Sequence, residues 1–313
     1  MQTSLTSGEK VPAKPFLKWI GGKKQLLKEI ERRLPEDIKK TKRIDNYFEP
    51  FLGGGAVFFH LKYKYEIEES FLSDLNPELI LTYNVIKKDP DKLIDGLELF
   101  ESDFLELSDE KRKKYYNDRR AEFNNDLKTF NFEKYSKDTI KRAIYMIFLN
   151  KTCFNGMFRV NNRGEFNVPI GRYKKPKICD KENLYNVHEV LNDHVTITQR
   201  NYLETEVIIP ENSFVYLDPP YRPLNKTSSF TSYTSSEFKE EDQIRLSEYF
   251  KTLTENKVKV MLSNSDPTNY GNKDDFFERY YDPKMIKTVK AIRSINSNGK
   301  KRNKINELMI INY

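Results

Sequence analysis

The chain has 313 residues, a formal charge of +7 from 54 Lys+Arg against 47 Asp+Glu, two cysteines and three histidines. Cys153 and Cys179 lack C-x-x-C spacing and His60, His188 and His194 are scattered, so neither a disulfide framework nor a metal site is expected, and the setting reads as reducing and cytoplasmic. No signal peptide and no run near the roughly 20 apolar residues of a membrane span is read, which predicts a soluble protein; the basic excess favours a polyanionic partner if it clusters. The length exceeds one typical core, so a main domain with an insertion is expected.

Residues 1 to 13 read as a polar tail. Next, Pro15 to Lys23 carries the single tryptophan, Trp19, between Lys18 and Lys23 and beside Gly21 and Gly22. Apolar spacing at Leu26, Leu27, Ile30 and Leu34 predicts a helix over 23–34 with its N-terminus at that glycine pair, where a ligand can approach closely. Trp19 also fits a core anchor. Tyr47 to Phe59 reads as strand, glycine turn, helix, with Phe51, Gly53 and Gly55 in the pattern Phe-x-Gly-x-Gly. That is the opening of a Rossmann-like unit without G-x-G-x-x-G, and it suits a nucleoside-containing ligand. Asp74 ends a short strand about 20 residues further on, where such folds bind ribose hydroxyls. Its following Leu75-Asn76-Pro77 also fits a helix cap.

From Ile86 to Tyr185 the rhythm changes to dense charge and helical spacing, predicting helices near 93–107, 111–123 and 139–149. Lys111-Arg112-Lys113-Lys114 reads as a solvated face. The end of this insertion, Phe154 to Lys175, interleaves bases, aromatics, amides and glycines, including Phe154, Asn155, Met157, Arg159, Asn161, Pro169, Arg172 and Tyr173. Arg159 to Val168 predicts a hairpin turning at Asn161 to Gly164. A two-stranded ribbon fits the DNA major groove, where Arg reads guanine and Asn reads adenine, and neighbouring Lys and Arg neutralise phosphates.

Beyond the insertion, strands are predicted at 194–202, 213–217 and 258–263, a helix at 240–253, and an antiparallel pair at 285–294 and 307–313. A basic turn from Ser297 to Lys304 joins that pair. The run Phe214 to Leu217 stops at Asp218-Pro219-Pro220-Tyr221. Two prolines fix φ and offer no N–H, so Asp218 and Tyr221 stand on a stiff tip with carbonyls left as acceptors. Such a tip suits a planar group bearing an NH2, accepted by carboxylate and carbonyl and stacked on the aromatic ring; adenine and cytosine fit. Standing alone, the same four residues also read as a strand-ending turn. Phe230 and Tyr233 are candidate walls of a base pocket. Glycines 53 to 55, Asp74 and Asp218 all fall at the carboxyl ends of predicted strands, so they converge on one crevice.

With these residues in hand, the chain resembles the Dam-type DNA adenine-N6 methyltransferases, the D12 class of the alpha group, particularly its GATC-specific branch. The likeness runs from Phe16 to Tyr313 through Phe-Leu-Lys-Trp-x-Gly-Gly-Lys, Glu-Pro-Phe-x-Gly-Gly-Gly, Asp-x-Asn, Asn-Gly-x-x-Arg-x-Asn, Phe-Asn-Val-Pro-x-Gly-Arg-Tyr-Lys and Asp-Pro-Pro-Tyr. It implies an α/β class I S-adenosylmethionine-dependent methyltransferase fold, a Rossmann-like mixed sheet with an antiparallel last strand. The catalytic domain would comprise 1–85 and 186–313, and 86–185 would be an inserted, mainly helical target-recognition domain carrying the hairpin. The resemblance also implies S-adenosyl-L-methionine as cofactor, with Trp19, Lys23, Asp74 and Asp218 at its contacting positions, and double-stranded DNA as partner, without a metal. By the same likeness Lys18, Met157, Arg159, Pro169 and Tyr173 fall where base pairs are read, and Phe154 where an aromatic enters the stack. Met157 and Phe154 replace a leucine and a tyrosine of one branch, keeping apolar bulk, so GATC is expected. Another DNA site, or RNA, is the alternative target. A cognate restriction endonuclease is a possible partner and a monomer is expected.

Overall fold

The computed structural model describes residues 12–222, 238–270, 274–292 and 304–313. Residues 1–11, the expected basic turn at 297–303, and Phe230 and Tyr233 lie outside the described residues. Seven strands form one sheet: β1 (Arg43–Glu49), β2 (Glu66–Asp74), β3 (Val195–Gln199), β4 (Phe214–Leu217), β5 (Lys259–Ser265), β6 (Ile286–Ile292) and β7 (Lys304–Ile311). Their spatial order is β3-β2-β1-β4-β5-β7-β6. The first five are parallel to one another, while β7 runs antiparallel between β5 and β6. This is the class I S-adenosylmethionine-dependent methyltransferase fold, with the antiparallel closing pair that the sequence predicts.

The helices follow in chain order: α1 (Leu27–Arg32), α2 (Glu36–Thr41), α3 (Ala56–Lys64), α4 (Pro77–Lys88), α5 (Pro90–Glu106), α6 (Asp109–Asn125), α7 (Lys137–Thr152), α8 (Lys181–Asn192), α9 (Glu240–Glu255) and α10 (Phe276–Tyr280). Successive side chains of a strand point to opposite faces, and the two cores follow that rule. Tyr47, Phe214, Tyr216, Met261 and Met309 join one core, and Phe48, Val215, Leu217, Val260, Leu262 and Leu308 join the other. Strands covered on both faces read as unbroken apolar runs, and all four residues of β4 are buried.

The helix predicted over 23–34 is instead a 3-10 turn, Lys23–Gln25, and the six-residue α1, separated at Leu26. Lys23, on the first turn, is buried with its ammonium drawn into the cleft described below. The cuts expected at 86 and 185 fall inside α4 and α8, which pack against each other, and one continuous core runs from the sheet into α7. No helix among the described residues is long and apolar enough to cross a membrane.

Helices α5, α6 and α7 stand between α4 and α8, and α7 is buried over most of its surface. Arg142 of α7 forms a buried ion pair with Glu78 of α4, its Nε 2.9 and 2.8 Å from the two carboxylate oxygens. Arg142 also donates to the Phe123 carbonyl at 3.0 Å, and the rings of Phe123, Phe130 and Phe132 surround its guanidinium.

The expected hairpin is present but short. Asn161 donates its N–H to the Glu165 carbonyl and Asn167 to the Arg159 carbonyl, around a single bridge of Val160 with Phe166 and a turn at Gly164 (φ +78°). The return segment pairs little with its partner because α6 holds its backbone. Tyr116, Arg120 and Asn124 lie one turn apart on one face. Tyr116 and Arg120 donate to the Val168 carbonyl at 2.8 and 3.2 Å, and Asn124 both donates to Phe166 O and accepts from Phe166 N. The basic run ahead of them is only partly the solvated face expected. Lys111, Lys113 and Lys114 are exposed, but Arg112 donates to the carbonyls of Phe104, Leu105 and Lys174. It thereby satisfies carbonyls at the end of α5, which the helix cannot bond internally.

Candidate active site

A cleft of about 1280 Å³ opens at the carboxyl ends of the parallel strands. The structure brings Trp19, Lys23, Phe51, Gly53, Gly55, Asp74, Asp218, Pro219, Pro220 and Tyr221 together along its walls. After β1 the chain turns tightly: Leu52 N–H donates to Ser73 O at 3.0 Å and Gly55 N–H to Leu52 O at 2.8 Å. Gly53 (φ +48°) sits so close to Trp19 that a Cβ there would stand 2.8 Å from the indole Cδ1. Only glycine combines that positive φ with that approach. Trp19 therefore walls the cleft while packing against the core, and it stacks on Phe158 at 5.5 Å.

Asp74 fastens the same turn. Its Oδ2 accepts from Gly53 N and its Oδ1 from Asn76 N, both at 2.9 Å. Burial raises its pKa above the ordinary carboxylate range, opposed by those N–H donors. Helix capping falls to Asn76, whose Oδ1 accepts from Glu78 N and Leu79 N. In the same cleft, the rings of Tyr202 and Phe238 stand 5.0 and 6.2 Å from that of Phe51, and Leu75 and Leu203 add apolar lining.

The tip after β4 is stiff and densely bonded. Gln243 of α9 donates to the Pro220 carbonyl at 2.9 Å, and Asn264 of β5 donates to Gln243 Oε1 at 3.0 Å. Asn264 Oδ1 accepts from Arg222 N, and Ser265 Oγ donates to Arg222 O. The Pro219 carbonyl makes no hydrogen bond among the described residues. Lys23 Nζ lies 2.6 Å from Asp218 Oδ2, 2.6 Å from the Gly21 carbonyl and 4.8 Å from the centre of the Tyr221 ring. Tyr221 in turn donates its hydroxyl to Glu307 Oε2 of β7 at 2.7 Å.

Three carboxylates thus share this floor with one lysine. Burial pushes the Asp218 carboxyl up to about 6 even though Lys23 beside it pulls the other way, and Glu307 adds to the rise. Beneath it, burial pushes Glu49 up to about 8, against a hydrogen bond from Tyr47 at 2.7 Å. Burial thereby favours the neutral form of Glu49. A raised carboxyl pKa gives stability that is full below the ordinary value of 4.5 and lost as pH rises through about 8. Glu49→Gln, which cannot ionise, should gain in Tm on the wild type steadily between pH 5 and pH 8 and no further above; parallel melting curves across that range check it.

Sequence reasoning missed Glu49, Glu307, Gln243 and Asn264. Gln243 left a signal: it shares helical spacing with Leu246 and Phe250 on the buried face of α9, and a polar residue on an apolar stripe needs a partner. Glu307 and Asn264 carried no comparable signal, because their partners, Tyr221 on the tip and Gln243 on α9, are supplied by other elements of the fold.

The residues expected to touch DNA gather beside the cleft rather than inside it, joined to it by Lys18. Lys18 lines the cleft, and its ammonium stands 4.6 Å over the Tyr173 ring. Phe154 is 49% exposed and Asn155, at φ +57°, is also exposed. Pro169 and Arg172 are exposed, and Met157 is half-buried against the core. Arg159 is braced through its Nε by Asn167 Oδ1 at 2.8 Å. Asn161 differs: its Oδ1 accepts from Arg163 N and Glu165 N and its Nδ2 donates to Glu165 Oε2, so its amide is engaged in making the turn.

Residues 19–295 match the D12 class N6 adenine-specific DNA methyltransferase family. The chain is 48% identical over 301 residues to "Type II methyltransferase M.MjaIII" of Methanocaldococcus jannaschii, spanning 96% of this chain and 99% of that one. It is 37% identical to "Type II methyltransferase M1.LlaDCHI" of Lactococcus lactis subsp. cremoris, over 99% of each chain. With the "DNA adenine methylase" of Escherichia coli K12 it shares 35% identity over 95% of this chain and 94% of that one. The cofactor of such enzymes is S-adenosylmethionine, and the donor set fits it: a carboxylate at Asp74 for vicinal hydroxyls, an aromatic and apolar recess for a purine, and the charged Lys23–Asp218 corner for an amino-acid moiety. The turn that would receive it admits no side chain at Gly53. Sheet order, cleft and sequence agree, and the chain belongs to the D12 class of N6 adenine-specific DNA methyltransferases.

Proposed function

We propose that this enzyme methylates N6 of an adenine rotated out of double-stranded DNA, within the sequence GATC, with residues 86–185 as its target-recognition unit. The observation that carries the catalytic part is the division of carbonyls at the tip. Gln243 occupies Pro220 O, whereas Pro219 O is left beside Asp218 and the Tyr221 ring. An adenine amine has two hydrogens, and carboxylate and carbonyl accept one each. That draws the nitrogen toward tetrahedral geometry and frees its lone pair, while Tyr221 stacks on the base, its ring fixed by Glu307. Lys23 covers this carboxylate and this ring face, so the incoming base takes over contacts that the ammonium now makes.

When bound, S-adenosylmethionine supplies an electrophilic methyl group. Trp19, Gly53, Asp74 and Phe51 would hold it on one side of the tip and the base on the other. Transfer would then be direct, the N6–methyl bond forming as the sulfur–methyl bond breaks and one N6 proton passing to the Asp218 carboxylate that already accepts it, and the protein contributes positioning and fixed acceptors rather than a covalent step. Extruding the base costs a few kcal/mol, which Phe154, exposed at the rim, offsets by entering the vacated stack. Phe154, Lys18, Met157, Arg159, Pro169 and Tyr173 provide the base contacts, and Asn155, Asn161 and Arg172 lie among them. The names of two relatives, as Type II methyltransferases, support a place beside a separately encoded restriction endonuclease; a solitary methylase is the other reading.

The test is methylation of unmodified plasmid, then digestion with two GATC nucleases, one blocked by adenine methylation and one requiring it. Protection from the first with cleavage by the second supports the proposal; labelled methyl in DNA with both digests unchanged removes GATC and keeps the chemistry. Arg159→Ala should cost about 1–3 kcal/mol of discrimination at one base pair, roughly 5- to 150-fold. Relative kcat/KM on the target and its single-base variants measures that loss.

A further inference from the structure

At the C-terminal end of α7, Asn150 is 0% exposed. Its Oδ1 accepts from Lys18 N at 2.9 Å, and its Nδ2 donates to Lys18 O at 2.9 Å and to Gly156 O at 3.0 Å. One side chain therefore grips both main-chain groups of a residue in the N-terminal segment and, at once, the carbonyl of the Phe154–Gly156 turn. The two segments it joins belong to different tasks. Lys18 is followed by Trp19, whose indole lies on Gly53 of the cofactor turn. Gly156 is followed by Met157, Phe158 and Arg159, and Phe158 stacks on Trp19. The junction is tight: a Cβ at Gly156, which has φ +66°, would stand 2.3 Å from Lys18 Cδ. Buried amides satisfied on both ends hold geometry because each unmade bond leaves a buried polar group unpaired.

We propose that Asn150 is a positioning residue that locks the Lys18–Trp19 edge of the cofactor cleft to the Phe154–Arg159 loop, so that cofactor binding and target recognition are energetically coupled through it. The proposal rests on the reading of that loop as target-reading. Occupying the cleft fixes Trp19, Trp19 and Lys18 fix the loop through Asn150, and an ordered loop discriminates bases; by linkage, the right base sequence tightens the cofactor in return.

The test measures the Kd of S-adenosylhomocysteine, by fluorescence of the single tryptophan or by calorimetry, alone and with a short duplex. The duplex carries the target site identified by sequencing methylated plasmid, and a scrambled duplex is the control. In the full-length wild type the target duplex should tighten cofactor binding by about 5- to 150-fold, the usual range of such coupling. Asn150→Leu, close in volume but without bonds, should bring that ratio near one and lower discrimination between the target and its single-base variants. Asn150→Ser is measured beside it as a milder change, in case the leucine variant does not fold. Both ratios are independent of the active fraction, so a residue that only stabilises the fold would lower Tm and leave them unmoved. Wild type without coupling, or variants that keep it, overturns the proposal. Arg159→Ala run in parallel separates the failures. If it leaves discrimination intact, the reading of the loop falls and the proposal with it; if it relaxes discrimination while the Asn150 variants keep coupling, only the proposal falls.

Discussion

Asp218→Ala is expected to lower methyl transfer by at least ~10²–10³-fold, the usual effect of removing one fixed group from the reacting centre, while the protein remains folded. The side chain is 20% exposed at the floor of an open cleft, and the tip's shape depends on Gln243, Asn264 and two prolines rather than on the carboxylate. Single-turnover transfer of labelled methyl, with a melting curve on the same preparation, checks both halves; near-normal turnover in a folded variant would remove Asp218 from the mechanism. The wild-type pH profile offers an independent check. Only the ionised carboxylate is a full acceptor, so kcat/KM should fall as pH drops through about 6, where burial has moved Asp218. Stability runs the other way. A raised carboxyl pKa gives stability that is present below about 3.8 and lost as pH rises through about 6. Asp218→Asn should therefore gain on the wild type in Tm over that window while staying inactive above it.

The second large effect concerns Arg142 and Glu78. Arg142→Met alone should cost about 3–5 kcal/mol, because it strands the Glu78 carboxylate in the interior. Both side chains are almost fully buried, 4% and 7% exposed, and Arg142 has a further partner in Phe123 O and three rings around it. Glu78→Leu alone should cost a similar amount. The double replacement should recover much of either loss, since an apolar pair of like volume can be as stable as the ions. Urea denaturation of the four proteins completes the cycle; single losses below about 1 kcal/mol would mean that water reaches the pair. The consequence extends beyond stability, because the pair fixes α7 to α4, and α7 carries Asn150 at its end.

Much of this was readable from the chain alone, and the parts that were not share a cause. Strand β4 was legible because Phe214 to Leu217 is a short apolar run that stops at Asp218, and the Asp218 tip because two prolines leave few conformations. The glycine turn and Asp74 were both legible as strand-end residues, but the hydrogen bond that joins them was not. The helix from Lys23 was misjudged: spacing at Leu26, Leu27, Ile30 and Leu34 says nothing about a lysine drawn inward by an aspartate almost 200 residues away. Arg112 looked like its neighbours because a charge run reads alike whether its carbonyl partners are present or not. The cuts at 86 and 185 marked real changes of composition, but α4 and α8 continue through them. Glu307 and Asn264 were invisible for the same reason as the Lys23 pairing: each is defined by a partner that only the fold supplies.

The hold of α6 on the return segment of the hairpin has a consequence for how such an enzyme changes over generations. Tyr116, Arg120 and Asn124 hydrogen-bond to the backbone of Phe166 and Val168 and, among the described residues, to none of the side chains expected to face bases. A mount that ignores side-chain identity tolerates replacement of what it carries. On the proposed reading, exposed residues such as Pro169 and Arg172 can be exchanged without unseating the ribbon, and a lineage can drift from one target to another through folded, active intermediates.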